Sequence, residues 1–95
     1  MLSVVAEITA KPGKEAELRR GLMGLIEPTR KENGCVQYDL HVSTDDPARF
    51  VFYENWSSRA ALDAHLGSAH IQAMLAVADE LLAEPPRILT YTRIA

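Results

Sequence analysis

Ninety-five residues, 47% of them apolar and with a net charge of −3, are enough for one domain (residues 1–95) with a thin core. No apolar run approaches the roughly 20 residues of a membrane span, no basic segment leads into an apolar one as in a signal peptide, and no basic patch interleaves with aromatics as nucleic-acid binding requires. The expectation is a cytoplasmic protein with no membrane or nucleic-acid partner, and its single cysteine, Cys35, excludes an internal disulfide framework.

Leu2 to Ala10 alternates, with Leu2, Val4, Ala6, Ile8 and Ala10 on one face and Ser3, Val5, Glu7 and Thr9 on the other, which predicts a strand. Lys11-Pro12-Gly13 is a turn. Lys14 to Lys31 reads as a helix with Leu18, Leu22, Leu25, Ile26 and Thr29 on its apolar stripe. Gly21 and Gly24 inside it are read as a close approach of helix to sheet. Pro28 is expected to kink or break the helix by clashing with the carbonyl of Gly24, with a last turn re-forming over Thr29 to Glu32. Cys35 to Ser43 is a second strand, with Val36, Tyr38, Leu40 and Val42 on its apolar face. A tight Thr44-Asp45-Asp46-Pro47 connection makes it a hairpin partner of the next strand.

That next strand points Phe50, Phe52, Glu54 and Trp56 to one face and Val51, Tyr53 and Asn55 to the other. Ser57 or Ser58 caps a short helix that carries Leu62 and His65, and Gly67 ends it. Ser68 caps another helix over Ala69 to Ala83, with Ile71, Met74, Leu75, Ala78, Leu81 and Leu82 as its buried stripe, stopped by Pro85-Pro86. Arg87 to Ile94 alternates again as a final strand. The order β-α-β-β-α-β is the ferredoxin-like plan, an α+β antiparallel sheet with helices on one face. The opposite face carries Val5, Val51 and Tyr53 among polar groups, so burial against a second copy is the expected remedy, giving a homodimer through the sheet.

Glu54 and Trp56 share a strand face, and a carboxylate among aromatics is costly unless partnered. A basic side chain or free backbone groups are its expected partners, against the alternative of a base or substrate anchor. His65 and His70 suit general-base work near neutrality. They lie five residues apart across a helix break, a spacing that does not bring them together, and no third ligand is spaced to join them, so no metal site is expected. His41 is read as dimer-facing or exposed, Cys35 as inert, and Arg87 and Arg93 as ion-pair partners at the sheet edge or across the dimer.

Taken together and in order, Val5-Ala6-Glu7-Ile8, Lys11-Pro12-Gly13-Lys14, Gly34-Cys35 leading to Tyr38, Asp45-Asp46-Pro47, Phe50 to Glu54, Trp56 with the serines after it, and His65 to His70 resemble the antibiotic biosynthesis monooxygenase family. The resemblance implies a dimeric α/β barrel and a quinol-type monooxygenase that uses O2 on a small aromatic substrate with no cofactor. Its pocket is expected inside each monomer, between sheet and helices, with Trp56, His65, His70 and Glu54 as catalytic candidates and Tyr38, Phe52, Leu62 and Met74 as lining. Relatives associate a tryptophan and an asparagine with the chemistry. Trp56 matches the tryptophan, but alternation points Asn55 to the other sheet face, and Ala6-Glu7 stands where a haem-degrading relative has asparagine. Two other readings stay open on the same scaffold: a non-redox isomerase of a small carbonyl compound, and a non-catalytic dimer that binds an aromatic ligand.

Overall fold

The computed structural model describes residues 1–95. In chain order it has β1 (Leu2–Thr9), α1 (Glu15–Met23), α2 (Ile26–Arg30), β2 (Cys35–Val42), β3 (Arg49–Trp56), α3 (Arg59–Leu66), α4 (Ala69–Ala76), α5 (Ala78–Leu81) and β4 (Arg87–Thr92). The strands form one antiparallel sheet in the order β2-β3-β1-β4, as the ferredoxin-like plan requires. The core lies between one sheet face and the helices. Val4, Ala6 and Ile8 of β1 and Phe50, Phe52 and Trp56 of β3 meet Leu18, Leu22, Leu25 and Leu62 from above. Each such large side chain removed from water contributes about 1.5–3 kcal/mol. Ser58 and Ser68 cap α3 and α4 as expected, accepting from the backbone N–H groups of Ala61 and Ile71. No helix is long and apolar enough to cross a membrane.

Four local expectations are corrected. The first helix breaks at Gly24-Leu25, upstream of Pro28, which sits as the third residue of α2. There its missing N–H is one of the first-turn donors that no helical carbonyl would accept, so proline is tolerated and the clash is avoided. Gly21 does not face the sheet: a Cβ there would sit 3.2 Å from Met74 Sδ on α4, while Gly24 meets only the carbonyls of its own helix. Ala69 to Ala83 is not one helix. It turns at Val77, and the chain beyond α5 is tied to the end of β1 by the Lys11 N–H to the Leu81 carbonyl, the Ala83 N–H to the Thr9 carbonyl, and an Ala10–Leu82 bridge. In β2 a bulge between Cys35 and Gln37 resets the alternation, so Val36 is 57% exposed while Tyr38 is buried.

The uncovered sheet face holds a hydrogen-bonded row. Ser3 donates to Asn55 Oδ1, Asn55 Nδ2 donates to Gln37 Oε1, and Gln37 Nε2 donates to Asp39. Arg30 reaches round to Asp39 at 3.0 Å. The bond from Gln37, followed by those from Arg30, holds the Asp39 carboxyl below its ordinary range. Beside this row Tyr53 and Tyr91 stand exposed, with Val5, Val51 and Leu89 half-buried.

Candidate active site

Beneath β3 the sheet and helices leave a cavity of about 100 Å³. Its walls are apolar, from Ala6 and Ile8 of β1, Leu22 and Leu25 of the first helical region, Phe52, and Leu66, Ile71 and Met74 of α3 and α4. Small residues make the space. Ala6 spares the sheet wall, and Gly21 lets Met74 lie against α1. Into this apolar enclosure come Tyr38, Glu54 and His65. A second, wider concavity lies on the outside, between α1–α2 and the β2 edge. It is open to solvent and lined by Arg19, Arg30, Lys31 and His41 among others, and none of the candidate catalytic residues touches it.

Glu54 is only 4% exposed. Its partner is not a basic side chain, as expected, but the indole of Trp56, whose Nε1–H donates to Oε1 at 2.8 Å. Residues two apart on a strand share a face, which is why this bond can form. Burial pushes the Glu54 carboxyl up to about 7, against the lowering effect of the Trp56 bond, and the nearby Glu32 charge adds to the rise. Trp56 is fully buried and does not line the cavity, so it acts on Glu54 from behind.

His65, on the last turn of α3, packs its ring against Trp56 at 4.6 Å and edge-on to Tyr38 at 5.4 Å. Its Nδ1 lies 2.7 Å from Glu32 Oε2. A carboxylate only accepts, so that nitrogen carries the hydrogen and Nε2 holds a free lone pair. Burial pulls the imidazole below its ordinary value, against the opposing pull of Glu32, so the ring is neutral at pH 7. Every fully occluded side-chain nitrogen and oxygen has a hydrogen-bond partner. His65 Nε2 and Glu54 Oε2 have none, so neither is fully occluded, and both residues line the cavity. Burial also raises the Tyr38 phenol well above its usual range, so it stays protonated there.

His70 is brought close after all. Its Nε2 reaches the same Glu32 oxygen at 2.9 Å and Thr29 Oγ1 at 3.1 Å, and the two imidazoles are 6.0 Å apart. The three ligand-type atoms of Glu32, His65 and His70 lie within 4.8 Å of one another, so the third group that the spacing did not offer is Glu32. His70 itself stands outside the cavity, as does Leu62, which belongs to the core; Tyr38, Phe52 and Met74 do line it. Asn55 is on the opposite face, as alternation requires. Cys35 has its thiol pushed up, first by burial and then by Glu32 and Glu54, which keeps it unreactive. Spacing did not single out Glu32, and it placed Thr29 only on the apolar stripe of the first helix. The available signal was Thr29 itself, a hydroxyl on an otherwise apolar stripe, which needs a buried partner.

Comparison with known proteins places this site in context. The sequence model described as antibiotic biosynthesis monooxygenase matches residues 1–77. Rv0793 of Mycobacterium tuberculosis, whose name provisionally makes it a monooxygenase, is 40% identical over 88% of this chain and 82% of its own. YgiN of Escherichia coli, provisionally named a quinol monooxygenase, is 33% identical over 94% of this chain and 96% of its own. A 34% identical Synechocystis protein of uncharacterized function is longer, and this chain spans 60% of it. Among solved structures, PA3566 of Pseudomonas aeruginosa superposes with a TM-score of 0.94 at 37% identity, covering 99% of this chain and 94% of that one.

Proposed function

The chain belongs to the antibiotic biosynthesis monooxygenase family, and from that membership we propose that it oxidises a phenolic or quinol ring with O2, without a cofactor, in the cavity beneath β3. The observation that carries this reading is the pair of titratable residues in the lining of an apolar cavity: His65, with Nδ1 anchored on Glu32 and Nε2 unpartnered, and Glu54, with Oε1 anchored on Trp56 and Oε2 unpartnered. A neutral imidazole in such a place is a base for a phenolic proton. The resulting anion is electron-rich enough to pass one electron to O2, and the radical pair recombines into a C–O bond. One oxygen atom stays on the ring and the other leaves as water, so the substrate itself supplies the electrons. Glu54, its carboxyl raised to about 7, supplies a proton to the reduced oxygen, and Tyr38 is a second donor. The apolar wall keeps bulk water from the anion.

A cavity of about 150 Å³ holds benzene, so this one of about 100 Å³ takes one ring by displacing the flexible Met74 and the half-exposed Leu75 at its rim. No lysine or arginine lines it, which weighs against the isomerase reading for any phosphorylated substrate. The sheet face with Tyr53 and Tyr91 pairs with a second copy, and the working protein is a homodimer. The test is oxygen uptake by chelator-treated, flavin-free protein with a panel of reduced benzo- and naphthoquinones. Saturable uptake above autoxidation, abolished in His65→Ala, is the expected result. Uptake no faster than autoxidation across the panel, or turnover of a carbonyl substrate without O2, refutes the oxygenase reading.

A further inference from the structure

The geometry points to a binding site for a divalent transition-metal ion of the zinc class at Glu32, His65 and His70, on the side of the His65 ring away from the cavity. Two imidazole nitrogens and one carboxylate oxygen, His65 Nδ1, His70 Nε2 and Glu32 Oε2, converge within 4.8 Å. This N2O donor set suits Zn2+, Co2+ and Ni2+ better than the oxygen-seeking Mg2+ or Ca2+. Three protein ligands leave a fourth position for water, as in open zinc sites.

The spacing is close to what such an ion needs. Bonds of 2.0–2.1 Å in a tetrahedron put donor atoms about 3.3 Å apart. The present separations of Glu32 Oε2 are 2.7 Å from His65 Nδ1 and 2.9 Å from His70 Nε2. Opening each by roughly half an ångström is within the reach of side-chain rotation, because Glu32 lies in the turn after α2, His70 lies in the first turn of α4, and their side chains keep exposures of 17% and 23%. That exposure is also the entry path. His65, at 3%, is the fixed floor of the site. Thr29 and Ser68 hydroxyls at 3.1 and 3.3 Å from His70 Nε2 stand ready to bond the ion's water or the carboxylate's second oxygen.

The site is not placed to touch substrate. Neither Glu32 nor His70 lines the cavity, and His65 is the one residue of the three that does. An ion on Nδ1 moves the ring hydrogen to Nε2 and so removes the lone pair that would act as the base. Resting on the proposed function in this one respect, metal binding silences the base rather than assisting it.

The test is titration of chelator-stripped protein with Co2+, followed by its visible absorption and by displacement with Zn2+. One ion per chain with an intense band of low coordination number is expected. Affinity should fall at least tenfold in Glu32→Gln and His70→Ala and stay unchanged in His41→Ala and Cys35→Ser. His70→Gln, which retains a hydrogen-bonding group for Thr29, stands in for His70→Ala if the latter melts early. No saturable binding in the sub-millimolar range, or binding that survives both Glu32→Gln and either His70 variant, overturns the site. Tight binding that leaves oxygen uptake intact keeps the site and instead removes His65 from the role of base, so the two failures are distinguishable.

Discussion

Replacing Glu54 by glutamine should make this protein more stable at pH 8 and inactive. Glutamine keeps the carbonyl acceptor that the Trp56 indole needs and nearly the same volume, and removes only the ability to ionise. The carboxyl has an ordinary value of 4.5 and is held at about 7 in the fold. A group raised on folding leaves stability intact below its unfolded value and erodes it as the pH climbs through the folded one. At 1.36 kcal/mol for each tenfold difference, ionising Glu54 costs on the order of 3 kcal/mol by pH 8. The side chain is 4% exposed, so solvent screening does not reduce this much. For a domain this size roughly 4–8 °C of melting temperature accompanies each kcal/mol. Thermal melts of wild type and Glu54→Gln at equal protein concentration should therefore differ by about 10 °C or more at pH 8 and converge near pH 4.5. An advantage of the same size at both pH values, or none at pH 8, refutes the argument that Glu54 is held protonated by burial.

The rate should rise with pH as His65 loses its proton, below the ordinary histidine value, and fall as Glu54 ionises near 7, giving a narrow bell in the oxygen-uptake profile. Trp56→Phe removes a hydrogen bond to a charged group worth about 1.5–3 kcal/mol, so the alkaline limb of that bell should move up by about 1–2 pH units; a limb that stays put refutes the indole's role. Gly34→Ala should cost more than about 2 kcal/mol in denaturant melts, because φ is +89° and the new Cβ would lie 2.5 Å from Ala61 Cβ and 2.7 Å from Ser57 Oγ. Tyr53→Lys should leave the fold intact and sediment as a monomer if the exposed sheet face is the dimer contact.

The strands were legible because their alternation is strong. Phe50, Phe52, Glu54 and Trp56 share a face by period alone, and the structure buries all of them against the helices. The turn from β3 into α3 was equally readable from its serine cap. What the sequence hid has a common physical origin, since it depends on what the chain meets in space rather than on its own period. Pro28 is tolerable or ruinous according to where α2 begins, and that is decided by how Leu25 and Thr29 reach the core. Val36 alternates perfectly on paper and is expelled by a bulge. Glu32 is 33 residues from His65, and nothing local marks it as that histidine's partner. A five-residue spacing between His65 and His70 is a poor one only on a single helix; across the Gly67 break the two rings turn toward the same carboxylate.

The proposed acid and base owe their shifted protonation to one cause. Desolvation in the same cavity penalises charge on whichever group enters it. For the carboxyl of Glu54 that means a value raised toward neutrality, and for the imidazole of His65 a value lowered from it. The cavity lining therefore holds a carboxyl that keeps its proton up to about pH 7 and an imidazole that gives its proton up below the ordinary histidine value, the combination that proton transfer in both directions requires. Trp56 and Glu32 set the limits of this effect, each donating to or accepting from its partner so that neither is left wholly without a bond. A purely structural core would gain by replacing Glu54 with leucine or methionine, since no cation pairs with it and its charge costs stability above pH 7. The fold keeps the carboxyl where it is most expensive, in the lining of the cavity. That cost is consistent with a group selected for the proton it holds and against the stability it would otherwise lend.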